Sequence, residues 1–162
     1  MITRVCSGLL NHLGSLPYMQ MNAMVSTLLL LVGALQVGEV RQFEVEGVKR
    51  QALVVEPKGA GKPALVLGFH GFGGNMRNAA RSFAIHYHWP EALVVYPQGL
   101  EVGSARLPDS PRRPGWQNLP GAQEDRDLRF VDRILLELKG RYDPKRVFAM
   151  GHSNGGRYTY VL

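Results

Sequence analysis

Arg146-Val-Phe-Ala-Met-Gly-His-Ser-Asn-Gly-Gly156 is a short apolar run that enters a serine set between glycines. A run as brief and apolar as Val147 to Met150 is the pattern of a strand buried in a parallel sheet. Gly151 and Gly155 stand two residues either side of Ser153, giving G-x-S-x-G, and Gly156 extends the small-residue patch into what reads as the first turn of a helix. The logic is steric. A serine at the tip of a sharp strand-to-helix turn takes a strained backbone conformation, and a Cβ at either flanking glycine would strike the neighbouring strand or helix. Such a turn presents the Ser153 hydroxyl at the carboxyl end of a sheet, with the Asn154 amide pointing the same way. G-x-S-x-G also occurs in ordinary turns, so the surrounding sequence has to decide.

An earlier apolar strand, Ala64-Leu-Val-Leu-Gly-Phe69, runs directly into His70-Gly-Phe-Gly-Gly-Asn75. Where a serine nucleophile sits on such an elbow, its oxyanion hole takes one amide from the next residue and a second from a glycine-rich loop after an earlier strand. Glycines at 71, 73 and 74 let that loop turn tightly, so that the Phe72 amide can face the charge developing on a carbonyl oxygen. The plainer reading is a loop that only reverses the chain. A phosphate-binding loop is excluded, because Met76 and Arg77 stand where a lysine and a hydroxyl would be needed. Pro57-Lys-Gly-Ala-Gly-Lys-Pro63 also lacks the hydroxyl and reads as a connecting turn.

HGFGGN and GHSNGG are joined by VVYPQGL (94–100), PGWQN (114–118) and the helical pattern EDRDLRFVDRILLEL from Glu124. Taken together and in this order, they resemble α/β-hydrolase esterases of the polyhydroxybutyrate depolymerase and feruloyl esterase type, over residues 42–162. The resemblance implies an exported carboxylic ester hydrolase with Ser153 as nucleophile and the amides of Phe72 and Asn154 as oxyanion hole. It implies a small-molecule or polymeric ester as substrate and no cofactor.

The remaining elements fit an α/β alternation, which makes a mostly parallel sheet with flanking helices. Residues 42–46 and 51–55 read as a hairpin around Gly47. Residues 75–89 read as one helix ended by Pro90, and 92–96 as a buried strand. From Glu124, apolar positions 128, 131, 134, 135, 138 and 142 recur at helical spacing. Asp125 and Asp127 suit the start of that helix and suggest no metal site, since no histidine or cysteine accompanies them at ligand spacing. Residues 98–123 show no periodicity and should lie on the site's side of the sheet. Within them, Arg106, Arg112 and Arg113 either attract an acidic substrate or form a solvated face. Trp116 either walls the pocket, as a substrate-binding residue, or simply packs.

A net charge of +6, with 45% hydrophobic and 20% charged residues, suits a single globular domain, and no nucleic-acid motif accompanies the basic balance. The apolar run from Met24 to Val37 has the length of a signal-peptide core and is short for a membrane span. Residues 1–40 are therefore expected to be an export leader, against the alternative of a buried N-terminal helix. Cys6, the single cysteine, lies within them, so no internal disulfide forms. Oligomeric state is not legible.

One part of the pattern is missing. In the α/β-hydrolase order the acid and histidine follow the serine, yet residues 154–162 read NGGRYTYVL. Residues 41–162 are thus expected to be the N-terminal part of the domain, truncated after the nucleophile elbow, with an open apolar edge beside the Ser153 strand. Two classes stay open: an esterase of which this is a part, or a catalytically inactive hydrolase-like fragment serving as an interaction module.

Overall fold

The computed structural model describes residues 37–104 and 109–162; residues 1–36 of the expected leader and Arg106 lie outside them, while Glu39 and Val40, expected to end the leader, belong instead to the first strand, paired with Val54 and Leu53. The described residues open with a hairpin, β1 (Glu39–Val45) and β2 (Val48–Val55), paired antiparallel from Glu39↔Val54 to Val45↔Val48. The two-residue turn between them holds Glu46 and Gly47 at φ 50° and 78°. Positive φ at both central positions matches the right-handed twist of the flanking strands. The hairpin is longer than sequence alternation predicted, because the pairing runs right up to the turn.

β3 (Leu65–Phe69), β4 (Leu93–Pro97) and β7 (Val147–Gly151) complete a five-stranded sheet in the order β1-β2-β4-β3-β7. β3 lies parallel to both β4 and β7, while β2 meets β4 antiparallel. Alternation decides the layers. Leu65, Leu67 and Phe69 face one side with Phe130, Ile134 and Tyr158, whereas Val66 faces the other with Ala79, Ala80 and Tyr96. The first side is covered by α3 (Arg126–Glu137) and α4 (Asn154–Tyr158), the second by α1 (Met76–Phe83) and α2 (Ile85–His88).

Four further expectations need correction. The single helix over 75–89 is broken at Ala84, which caps α1 at φ 47°. The Ile85 amide leaves the helical ladder for the hydroxyl of the buried Tyr96 at 3.2 Å. Residues 98–123 are not wholly irregular: β5 (Leu100–Val102) and β6 (Arg113–Gly115) pair antiparallel. The helix after Glu124 begins only at Arg126, behind three successive left-handed residues, Gln123, Glu124 and Asp125 at φ 55°, 57° and 53°. Finally, β7 is not buried. It pairs with β3 alone among the described strands, leaving Val147, Phe148 and Met150 exposed at 39%, 48% and 38%.

Candidate active site

The end of β7 sets the site. Ser153 has φ 53° and ψ −115°, a conformation rare for a non-glycine residue and of the kind that costs about 1–3 kcal/mol. The surrounding structure imposes it. A Cβ on Gly155 would strike the carbonyls of Phe69 and His70, and one on Gly151 would strike the backbone of Gly155. The His152 amide donates to the Phe69 carbonyl at 3.2 Å, and the Gly155 amide closes the turn on the His152 carbonyl at 2.9 Å. Ser153 is left exposed at the tip.

The 70–74 loop lies alongside. A Cβ on Gly71 would stand 3.0 Å from Nδ1 and 3.3 Å from the carbonyl oxygen of His152, so glycine there lets the loop run close beside the elbow. The loop closes through the Gly74 amide, which donates to the Gly71 carbonyl at 2.9 Å, and is tied to β6 by the Gly73 amide donating to the Pro114 carbonyl at 2.8 Å. Phe72, at the turn's tip, shares a cleft of about 380 Å³ with Ser153, Asn154, Val102, Asn118 and Arg157. Neither the Phe72 nor the Asn154 amide has a hydrogen-bond partner among the described residues. One cleft therefore holds a hydroxyl and two backbone donors with no internal use.

His70 is beneath this loop rather than in the cleft. It is buried, its Nδ1–H donates to the Gly71 carbonyl at 2.8 Å, and its Nε2 accepts from the Gly99 amide at 3.0 Å. Burial holds its pKa below the ordinary histidine value, against smaller opposing effects from the Gly71 carbonyl and Asp127. Both ring nitrogens are committed, so it shapes the loop and takes no proton from Ser153.

Trp116 does not wall the cleft. Its side chain is fully buried, stacked on Tyr158 at 5.3 Å and edge-on to Phe69 at 5.1 Å, with Nε1 donating to the His70 carbonyl at 2.9 Å. It supports the loop from below. Asp127 is likewise more than a helix-start carboxylate: fully buried, it accepts from Arg50 Nη2 and the Gln117 amide, each at 2.9 Å. Asp125 accepts from Gln117 Nε2 and the Gly121 amide, each at 2.7 Å. Those hydrogen bonds, the Gln117 one foremost, hold its carboxyl below the usual range. No group of three or more histidine, cysteine or acidic side chains able to hold a metal occurs among the described residues.

The side chain of Asn154 is a feature that sequence reasoning missed. Its Oδ1 accepts from the Trp116 amide at 2.8 Å, while Nδ2 donates to the Trp116 carbonyl at 3.0 Å and to Asn118 Oδ1 at 2.9 Å. This amide clamps the 116–118 segment to the elbow as a strand rung would. The signal was its placement after Ser153, but that position was read for its backbone donor. Arg157 was missed too, although it follows Ser153 by one helical turn and its amide donates to the Ser153 carbonyl at 3.0 Å. Of the arginines singled out in the loop, Arg112 donates to the Glu101 carbonyl at 2.8 Å, and Arg113 lies over Gly73.

No family model matches the chain, and no curated protein matches it. Solved structures do resemble it. A thermophilic esterase from the planctomycete Thermogutta terrifontis with butyrate bound is similar at TM-score 0.52 and 17% identity, over 76% of this chain and 43% of that one. An α/β serine hydrolase homologue from Coxiella burnetii is similar at TM-score 0.50 and 19% identity, over 75% of this chain and 54% of that one. A thermostable esterase is similar at TM-score 0.50 and 20% identity, over 78% of this chain and 37% of that one. The chain spans about half or less of the length of each. At these identities the likeness is one of backbone, and together with the strand order and the helices on both faces it gives this chain the α/β-hydrolase fold.

Proposed function

We propose that this chain carries the nucleophile half of a serine carboxylic ester hydrolase. The observation that supports this most is the strained Ser153 turn sharing a cleft with the unengaged amides of Phe72 and Asn154. In this reading Ser153 Oγ adds to the ester carbonyl, and its proton passes to a base. The carbonyl oxygen becomes an oxyanion between the two amides. Collapse expels the alkoxide, which takes that proton, and water then repeats the sequence to free the acid and restore the serine. The base is neither His70 nor a residue of 154–162, which contain no histidine; in this fold the acid and histidine follow the nucleophile in the chain. The motif resemblance favours a hydroxyalkanoate polyester or oligomer, or a feruloyl-type ester, as substrate. The apolar run at 24–37 favours export of the protein.

The test is hydrolysis of p-nitrophenyl butyrate by the full-length encoded protein. Ser153→Ala should abolish it. Phe72→Pro, which deletes one amide donor, should lower kcat by about two orders of magnitude, with circular dichroism checking that the variant folds. Substantial turnover by Ser153→Ala would overturn the assignment.

A further inference from the structure

Arg157 is the one charged side chain lining the Ser153 cleft among the described residues. It is exposed and has no carboxylate partner, although every Asp and Glu of the sequence lies within the described residues. Of the other accessible arginines among the described residues, Arg41, Arg129, Arg133, Arg141 and Arg146 each pair with an acidic side chain, whereas Arg77, Arg81, Arg112, Arg113 and Arg126 do not; Arg157 differs from these in lining the Ser153 cleft. A guanidinium left unpaired in a small cleft is a fork of donors shaped for a planar anion.

Asn118 stands in the same cleft, and its Oδ1 is already taken by Asn154 Nδ2. That bond fixes the amide's orientation and leaves its own NH₂ group as a second donor. The spacing sets where an anion would sit. Ser153 caps this helix outside its helical backbone, but the Arg157 amide donates to the Ser153 carbonyl at 3.0 Å and both residues line the same cleft, so a group held by Arg157 lies a few bonds from a carbonyl held at Ser153. A cleft of about 380 Å³ is at the small end of ligand sites and suits a short ester.

We propose that Arg157, assisted by Asn118, is a specificity determinant for esters that carry a free carboxylate close to the scissile bond. The class comprises half-esters of short dicarboxylic acids and short hydroxy-acid oligomers with a free acid end. The inference rests on the reading of Ser153 as nucleophile, but binding tests it without turnover.

Monomethyl succinate and dimethyl succinate, one anionic and one neutral, are titrated into the full chain at low salt while the ¹⁵N amide shifts of residues 153–157 are followed. The monoester should bind about tenfold more tightly, the scale of one charge-assisted hydrogen bond at an accessible site. The preference should shrink toward parity in about 0.5 M salt, where charges are screened over a few ångströms. Arg157→Gln should remove it, and Arg157→Lys should keep part of it. Equal binding of the two esters by the unaltered chain, or a preference that survives Arg157→Gln, overturns the proposal. Ser153-dependent hydrolysis of neutral esters by the full-length encoded protein without an anion preference would overturn this inference alone, whereas anion binding by a full-length encoded protein that hydrolyses neither ester would overturn the nucleophile reading instead.

Discussion

At the residue scale the serine's conformation was legible, and the work of its neighbours was not. Two glycines around Ser153 announce a backbone that a Cβ would block, and Gly155 meets the carbonyls of Phe69 and His70 as that reading requires. The sequence cannot show which groups a side chain reaches across the fold. Asn154 was read for its amide while its carboxamide clamps Trp116, and of the two roles open to Trp116, wall or packing, its indole takes the second, lying wholly under the loop. His70 carries a prediction at this scale. Because burial depresses its folded pKa below the unfolded value, the unfolded chain binds more protons as pH falls below about 6.5. Its contribution to stability is complete above that pH and is lost as pH falls through the folded pKa. His86, also depressed by burial, acts in the same direction from a more accessible site. Urea midpoints should therefore fall between pH 7.5 and 5, and His70→Gln should flatten most of that fall. An unchanged slope in the variant would show that the ring is protonated in place.

Elements were read well where period and composition agreed and poorly where a distant partner intervened. The apolar strands at 64–69 and 92–96 were found because runs of Leu and Val buried on both faces leave little alternative. The break at Ala84 was invisible, since it depends on the Tyr96 hydroxyl taking the Ile85 amide from another element. β7 was read both ways, since its apolar composition predicted burial while the open apolar edge expected beside the Ser153 strand is what the described sheet shows. Its composition is that of a central strand, and its place at the edge of the described sheet depends on which strands are beside it. The exposed backbone and apolar side chains of β7 form a template for pairing with another copy. The chain should accordingly show concentration-dependent association in sedimentation velocity. Phe148→Lys, which places a charge on that edge, should lower it several-fold without altering the circular dichroism spectrum. Association equal in both proteins would mean that another surface is responsible.

On the scale of the molecule, a buried ion pair ties the hairpin to the site's supporting loop. Arg50 on β2 reaches Asp127 on α3 with both side chains shielded, and stacks over the Phe130 ring at 4.2 Å. Asp127 also holds the Gln117 amide, and Arg50 Nη2 touches the Gln98 carbonyl at 3.3 Å. Burial lowers the pKa of Arg50, and Asp127 opposes that shift by favouring the charged form. Asp127→Asn keeps the volume and an acceptor for Gln117 but leaves a shielded cation unpaired. It should cost about 3–5 kcal/mol in urea unfolding. A loss under 1 kcal/mol would mean that water reaches the guanidinium once the carboxylate is gone. The sequence offered Asp127 only as a favourable charge near a helix start, because the distant Arg50 carries no local mark.

The last rung between β3 and β7 pairs Phe69 with Gly151, and the His152 amide extends it by one further bond to the Phe69 carbonyl. The two halves of the cleft, the 70–74 loop and the Ser153 turn, hang from the ends of these neighbouring strands. Their separation is set by the ladder rather than by any side chain between them. Within the described sheet, however, β7 is held on one side only. Warming would fray it before the shielded strands β3 and β4, drawing the hydroxyl away from the Phe72 amide while the core stayed intact. Loss of the Ser153 cleft, read for example from the amide shifts of residues 151–157, would then run ahead of melting, and the temperature at which the cleft fails would be a property of one strand rather than of the whole fold.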